Sequence, residues 1–194
     1  EWPMNFRHGY DVDIREGKVC ETAHVSINAY YLGAIRVAND MAKILGLPPY
    51  RDETPVEEAF YRAFYDPAKD LFRDSEESEH ISLVGNSFVY GFGLYRDGST
   101  KQNILSLLDT HGIASLSFFC AFPILMGLCR DRDTNRLRDA LTHPDAWLRM
   151  LREDATTTFE GWGKDTKWNT SLFHLTMSYA ALFLSDTDTA ALFA

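Results

Sequence analysis

Four long segments of this chain carry apolar or small residues at helical spacing, and three shorter, more charged helical segments lie between them. The apolar segments are residues 21–45, 79–94, 115–129 and 171–184. The charged segments are residues 54–64, 100–111 and 135–152. A helix that is apolar nearly all round is buried, whereas an amphipathic helix is half solvated. The alternation therefore predicts an all-α fold in which apolar inner helices are covered by an outer layer of charged ones.

Local signals mark the ends of several predicted helices. Thr54 followed by Pro55 is typical of an N-cap and a first helical residue. Ser99 and Gln102 form a capping box, which predicts a helix that begins there and ends before Gly112. The first 19 residues have no clear period, and we expect a loop there. We predict a polar loop or a short extended segment at residues 65–78.

The order of the helices predicts where unusual side chains collect. If consecutive helices are antiparallel, every loop that leads into an inner helix lies on one rim of the fold. Those loops are residues 1–20, 65–78, 112–114 and 153–170. They hold Asp11, Glu160 and Trp162, so we expect a site on this rim. The alternative is an ordinary helical bundle whose loops are polar because loops lie at the surface.

The composition excludes several classes of function. The chain has 194 residues, of which 45% are hydrophobic and 24% are charged, so one globular domain spanning residues 1–194 is expected. The net charge of −9 argues against nucleic acid as a partner. No apolar run is long enough to cross a membrane. Three cysteines without C-x-x-C spacing argue against a disulfide framework or a zinc site, and favour a reducing, cytoplasmic compartment.

The most informative segment is residues 156–163, with the sequence Thr-Thr-Thr-Phe-Glu-Gly-Trp-Gly. Threonine and phenylalanine favour extended backbone, and the glycines permit close approach. Such a loop can present Glu160 beside the face of Trp162, where a carboxylate can take a proton from an attacking water. The alternative is that Trp162 anchors the core and Glu160 is a solvated loop acid.

Two further features carry a functional and a structural interpretation. His174 follows this loop and can hydrogen-bond a sugar hydroxyl, although a lone histidine on an apolar helix is more often a satisfied core residue. The acidic run of residues 74–79 lacks the spacing of a calcium loop. We interpret it as a helix N-terminus at which acids complement the macrodipole and Ser78 is the cap.

Several segments together resemble bacterial α-L-rhamnosidases. Residues 1–3, Glu-Trp-Pro, followed by Arg7, Gly9, Tyr10 and Asp11, look like the family's Asp-Trp-Pro and Arg-Asp-Gly-Tyr stretch. Residues 155–162 look like its Ala-Thr-Thr-x-Trp-Glu-x-Trp motif, with Phe in place of the first Trp. Residues 171–174 are similar to its Ser-Leu-x-His.

The resemblance implies a fold, a reaction and a site. The fold is part of an (α/α)6 toroid, namely the C-terminal portion of a six-hairpin glycosidase catalytic domain. The reaction is removal of terminal α-L-rhamnose with inversion, without cofactor or metal. Glu160 maps onto the general base, and we expect Trp162, His174, Tyr10 and Asp11 to bind the sugar.

The family's acid motif has no match here, so the resemblance implies a general acid upstream of this chain. An incomplete toroid would expose apolar faces along residues 21–45 and 171–184, and we expect those faces to drive self-association. Two alternatives remain. One is a non-catalytic carbohydrate-binding or interaction module derived from a glycosidase. The other is a purely structural helical domain, which would have Glu160 and Trp162 buried away from the other rim loops.

Overall fold

A computed structural model describes residues 8–10, 14–15, 18–19 and 22–185. The chain divides into two compact units. One unit is Gly9–Ile104, and the other is Leu105–Ala194 together with Glu1–His8. The division falls inside one helix, so that helix contributes to both units.

The unit Gly9–Ile104 contains two hairpins and the first helices of the chain. The strands β1 and β2 are Ile14–Arg15 and Lys18–Val19, and they pair antiparallel. The helices α1 and α2 are Val25–Ile44 and Thr54–Phe64. They are followed by the antiparallel strands β3 (Tyr65–Asp66) and β4 (Leu71–Phe72), by helix α3 (Leu83–Gly91), and by the start of α4 (Gly98–His111).

The unit that begins at Leu105 continues α4 and adds four more helices within the described residues. A 3-10 turn at Ile113–Ser115 follows α4. The next helices are α5 (Phe118–Arg130), α6 (Thr134–Leu141) and α7 (Trp147–Arg152). After a long loop, a 3-10 helix at Leu175–Tyr179 leads into α8 (Ala180–Ser185).

Helix α3 lies at the centre of the first unit, as its small and apolar residues predict. All nine of its residues are buried, and α1 packs against it. An aromatic cluster from α2 and β4 lies in the same core, with the rings of Phe60 and Phe72 5.5 Å apart and those of Tyr61 and Phe72 5.2 Å apart. The side-chain amide of Asn86 accepts the backbone N–H of Phe72 and donates to its carbonyl oxygen. These polar groups of β4 are therefore hydrogen-bonded inside the core.

Helix α5 provides the core of the second unit, again as the sequence predicts. Eight of its thirteen residues are buried, and α6 packs against it. Trp162 is the largest fully buried side chain of the described residues, and its ring lies edge-on to Trp147 with centroids 4.7 Å apart. The apolar segments at residues 79–94 and 115–129 therefore contain the buried helices α3 and α5, which are shorter at their N-terminal ends than predicted, and the prediction of an all-α fold is confirmed.

Some predicted boundaries are wrong. Residues 171–174 are not helical, and the predicted helix at 171–184 is a 3-10 helix followed by a short α-helix. The side chain of Asp97, and not that of Ser99, accepts the backbone N–H of Thr100 at the start of α4. The first 19 residues, expected as a loop, contain the β1–β2 hairpin.

One face of α1 is exposed although it is apolar. Its buried residues pack on α2 and α3, but Ile27 is 70% exposed and Ile44 is 83% exposed. The 171–184 region also exposes large apolar side chains, among them Phe173 and Leu175. The toroid and the assignment of residues 1–194 to one domain remain predictions. Within the described residues, no helix is long and apolar enough to cross a membrane.

Candidate functional site

The two sequence motifs that follow α7 lie side by side. The backbone N–H of Glu160 donates to the carbonyl oxygen of Ser171 at 2.8 Å, and that of His174 donates to the carbonyl of Thr158 at 2.7 Å. The Thr158 hydroxyl donates back to the His174 carbonyl at 2.6 Å. These hydrogen bonds hold residues 158–160 beside residues 171–174, and the candidate base and the candidate sugar-binding histidine both lie on these loop segments.

The Glu160 carboxylate has a fixed partner on each oxygen. Its Oε1 accepts the Lys167 ammonium at 2.7 Å, and its Oε2 accepts the backbone N–H of Ser171 at 2.9 Å. These bonds, together with the charge of Lys167 and a smaller electrostatic effect of His174, hold the pKa of Glu160 below its usual value of 4.5. The side chain remains 21% exposed, so solvent reaches a carboxylate that is ionised at neutral pH.

His174 directly precedes the 3-10 helix at Leu175–Tyr179, and its backbone N–H bonds the carbonyl of Thr158, two residues before Glu160. Its ring packs edge-on against Phe118, with ring centroids 5.5 Å apart. The residue is half-buried. The structure therefore places Glu160 and His174 on loop segments that are hydrogen-bonded to each other, and their shared role in a site stays a prediction.

Trp162 does not present its ring to solvent. It is 1% exposed, and its Nε1–H donates to the carbonyl of Leu116 at 2.6 Å. The indole lies against Trp147 in the core, so it anchors the loop that carries Glu160. Trp162 therefore has the role of a core anchor, the alternative to sugar binding, because a ring buried in this way has no free face for a sugar.

The remaining candidate residues belong to the other unit or lie outside the described part. Tyr10 is 5% exposed, and its hydroxyl lies 3.5 Å from Nδ1 of His24. Its position is that of a packed residue at the start of its unit. Asp11 lies outside the described residues. The expected grouping of Tyr10 and Asp11 with Glu160 on one rim stays a prediction.

The acidic run of residues 74–79 has a structural role that differs from the one predicted. Asp74 is fully buried, and its carboxylate accepts the backbone N–H and the hydroxyl of Ser82. It also lies 2.6 Å from Nδ1 of His80, while burial raises its pKa. Ser82, not Ser78, caps α3 by accepting the N–H of Gly85.

Side chains pack closely against the two glycines of the loop. A Cβ added to Gly161 would lie 2.4 Å from Cγ2 of Thr166, and one added to Gly163 would lie 2.4 Å from the guanidinium carbon of Arg149. Arg149 in turn donates to Glu153 at 2.7 Å, and Oε2 of Glu153 accepts the N–H of Lys164. Glu153 thus has the same two kinds of partner as Glu160, a cation and a backbone N–H.

A pocket of about 340 Å³ opens beside the threonine run. Threonines 156–158 form one wall, and apolar side chains of α7, the 3-10 helix and α8 form the others. The volume lies at the lower end of the range for small-molecule sites, about 300–1,000 Å³. An apolar wall beside a row of hydroxyls suits a ligand that has both kinds of surface.

Sequence reasoning missed Lys167 and the hydroxyl of Thr158. Lys167 lies in a polar loop without periodicity, and nothing in its spacing from Glu160 indicates an ion pair. The threonine run and Phe159 favour extended backbone, and an extended backbone needs hydrogen-bond partners. This was the signal that could have found the pairing with residues 171–174.

Comparisons with protein-family models and with curated proteins find no match to this chain. Within the described residues, no group of three or more His, Cys, Asp or Glu side chains could hold a metal ion. The candidate site therefore depends on the Glu160–His174 geometry and on the sequence resemblance.

Proposed function

We propose that this chain is the C-terminal part of the catalytic domain of an inverting α-L-rhamnosidase-type glycoside hydrolase, with Glu160 as its general base. The observation that carries the proposal is the pairing of residues 158–160 with residues 171–174. These are the two motifs of the rhamnosidase resemblance, 11 residues apart at Glu160 and Ser171. A shared neighbourhood is what a common role in one sugar site requires.

The environment of Glu160 is compatible with a base that activates water. A general base must be unprotonated before the reaction, and the lowered pKa of Glu160 keeps it ionised at neutral pH. A carboxylate has about four acceptor positions, and Lys167 and the Ser171 N–H occupy two of them. A water can bind at a remaining position and lose its proton to Glu160 as it attacks the anomeric carbon.

As water attacks in the inverting mechanism, the bond between the anomeric carbon and the glycosidic oxygen breaks, and an acid on the opposite face of the sugar must protonate that leaving oxygen. The two carboxyl groups of such enzymes lie roughly 6.5–9.5 Å apart, which leaves room for the water. We assign the acid to a residue upstream of this sequence, because the family's acid motif has no match in the chain. His174 would position the sugar, and the pocket at residues 156–158 would accommodate its apolar methyl group.

The ligand partner of this proposal is a rhamnoside, the compartment is cytoplasmic, and the protein associates through its exposed apolar faces. No cofactor takes part, because water, one acid and one base suffice for the reaction.

A second function is favoured by the double anchoring of Glu160. A carboxylate fixed by an ammonium and a backbone N–H is a poor proton acceptor but a well-placed acceptor for sugar hydroxyls. These features fit a carbohydrate-binding module that keeps the site and has no turnover.

The test uses the natural protein that carries this sequence, incubated with an aryl α-L-rhamnoside. Proton NMR identifies the first anomer of rhamnose released, and titration calorimetry measures binding of L-rhamnose. Early release of the β-anomer supports the inverting hydrolase. Early release of the α-anomer overturns Glu160 as a general base. Binding without release supports the second function, and the absence of both overturns the two proposals together.

A further inference from the structure

The exposed face of α1 carries a regular apolar stripe. Its members follow one another at steps of three and four residues along the helix: Ile27, Tyr30, Ala34, Val37, Met41 and Ile44. All six side chains are exposed, whereas the opposite face of α1 is buried against α2 and α3. This is the spacing of a helix–helix seam, where apolar residues recur every 3.5 residues on average.

The stripe has the size of one side of a protein interface. With Tyr31 and Leu45 beside it, its large side chains are between 46% and 83% exposed. Since an aromatic side chain has about 150–250 Å² of surface and the aliphatic ones have less, the exposed apolar area is on the order of 600–800 Å². The largest apolar patch on a typical monomer is about 300–600 Å², and a standard interface takes about 800 Å² from each partner. The stripe therefore needs a partner of comparable area.

The stripe matches itself when the helix direction is reversed. Its steps read three, four, three, four, three from either end. In an antiparallel pair of α1 helices, Ile27 lies opposite Ile44 of the second copy, Tyr30 opposite Met41, and Ala34 opposite Val37. Each layer then joins two apolar side chains, and Tyr30 with Met41 makes a sulfur–aromatic contact. A two-fold interface requires this kind of self-complementary surface.

The charge of the stripe also favours a second copy over an oppositely charged partner. The chain has a net charge of −9, so two copies repel unless they meet through uncharged surface. The stripe contains no charged residue, and the nearby Asp40 and Lys43 lie off its line. Its rings are held in place, because Tyr30 packs edge-on against Phe92 at 5.4 Å and the Tyr31 hydroxyl accepts a bond from Arg51. Little side-chain freedom is then lost on association.

We propose that two copies of this chain form a dimer through an antiparallel pair of α1 helices, in register at Ile27 and Ile44. The inferred interface involves neither Glu160 nor the 156–174 loops. Different experiments therefore measure dimerisation and sugar chemistry, and the failure of one can be told apart from the failure of the other.

Sedimentation velocity of the purified chain tests whether the apolar stripe of α1 is the dimer interface. We expect a species of about twice 22.1 kDa for the unsubstituted chain, and a monomer for Val37→Glu, which places two carboxylates near the centre of the interface. The matched control is Leu175→Glu, an exposed apolar residue of the other unit, which should remain dimeric. An unsubstituted monomer, a dimeric Val37→Glu variant, or dissociation by Leu175→Glu would each overturn the proposal.

Cysteine crosslinking tests the direction and register. Ile27→Cys and Ile44→Cys chains are mixed and oxidised, and the unsubstituted chain sets the background from its own cysteines. The antiparallel register predicts disulfides between a 27-substituted and a 44-substituted chain. In that register two copies of residue 27 lie about 25 Å apart along the axis, too far for a disulfide. Crosslinks between two 27-substituted chains would therefore overturn it.

Discussion

At the scale of single residues, the candidate site is defined by what each side chain contacts. Glu160 and His174 come together as the sequence suggests, whereas Trp162 is a core anchor. Threonine and phenylalanine predict extended backbone at 156–160, and that conformation stays a prediction. Residue type could not predict the fate of Trp162, since a sugar-binding and a core tryptophan have the same sequence. The decisive partner, the carbonyl of Leu116, lies 46 residues away along the chain.

Trp162→Phe should lower the free energy of unfolding, because it removes one hydrogen bond and replaces the indole with a smaller ring. The carbonyl of Leu116 loses its Nε1–H partner in the core, and an unsatisfied buried polar group costs about 1–3 kcal/mol. Urea denaturation followed by circular dichroism measures the free energy of unfolding. Trp168→Phe is the control, because Trp168 is 95% exposed and should change this free energy by less than about 0.5 kcal/mol. Equal effects of the two substitutions would contradict the anchoring role.

The anchoring of Glu160 should appear in the pH dependence of stability. Its pKa is lowered in the folded state, so its bonds to Lys167 and Ser171 contribute stability above the usual value of 4.5. That contribution is lost as pH falls through the folded-state pKa. The melting temperatures of the unsubstituted protein and Glu160→Gln should therefore differ most above about pH 5 and converge below pH 4.5.

Lys167→Met removes the same ion pair from the other side and provides the matched comparison. Its difference from the unsubstituted protein should shrink over the same pH range, by a smaller amount because the Ser171 N–H still bonds Glu160. A difference that widens on acidification for either variant would show that the Glu160 charge does not stabilise the fold.

At the scale of secondary structure, periodicity predicted the helices well and their ends less well. The periodic segments at 21–45, 54–64, 100–111 and 115–129 correspond to α1, α2, α4 and α5. The helix predicted at 171–184 was wrong over its first turn, because residues 171–174 bond the loop that carries Glu160. Apolar spacing cannot reveal such a competing backbone partner, and tertiary pairing here overrides local helical preference.

The end of α4 offers a test of helix termination. Gly112 has a φ of 72°, and its Cβ position would lie 3.2 Å from Nε2 of His143. Gly112→Ala should therefore lower the free energy of unfolding by about 1–2 kcal/mol. Gly98→Ala, at the first residue of the same helix and in open space, should be neutral or stabilising by up to about 1 kcal/mol. Thermal and urea denaturation of both variants would decide, and a destabilised Gly98→Ala with an unaffected Gly112→Ala would contradict the account.

At the scale of the whole molecule, the net charge of −9 opposes the association that the α1 stripe favours. Salt screens the repulsion between two acidic copies, with a Debye length of about 10 Å at 0.1 M, but leaves apolar contact in place. We therefore expect the dimer to tighten when sodium chloride is raised from about 0.05 to 0.5 M. Sedimentation equilibrium measures the dissociation constant. A dimer that weakens as the salt concentration rises would show that ion pairs hold it together. That result would contradict an interface formed by the uncharged α1 stripe.

The most direct test of the central claim compares two glutamates of the same loop region in the natural protein that carries this sequence. Glu160 and Glu153 each bind a cation and a backbone N–H, so their glutamine variants lose similar structural contacts. Turnover of an aryl α-L-rhamnoside is measured for both. A general base at Glu160 predicts that Glu160→Gln lowers kcat about 10²–10⁴-fold, and that Glu153→Gln changes it far less. Equal losses in the two variants, or full activity of Glu160→Gln, would contradict the claim.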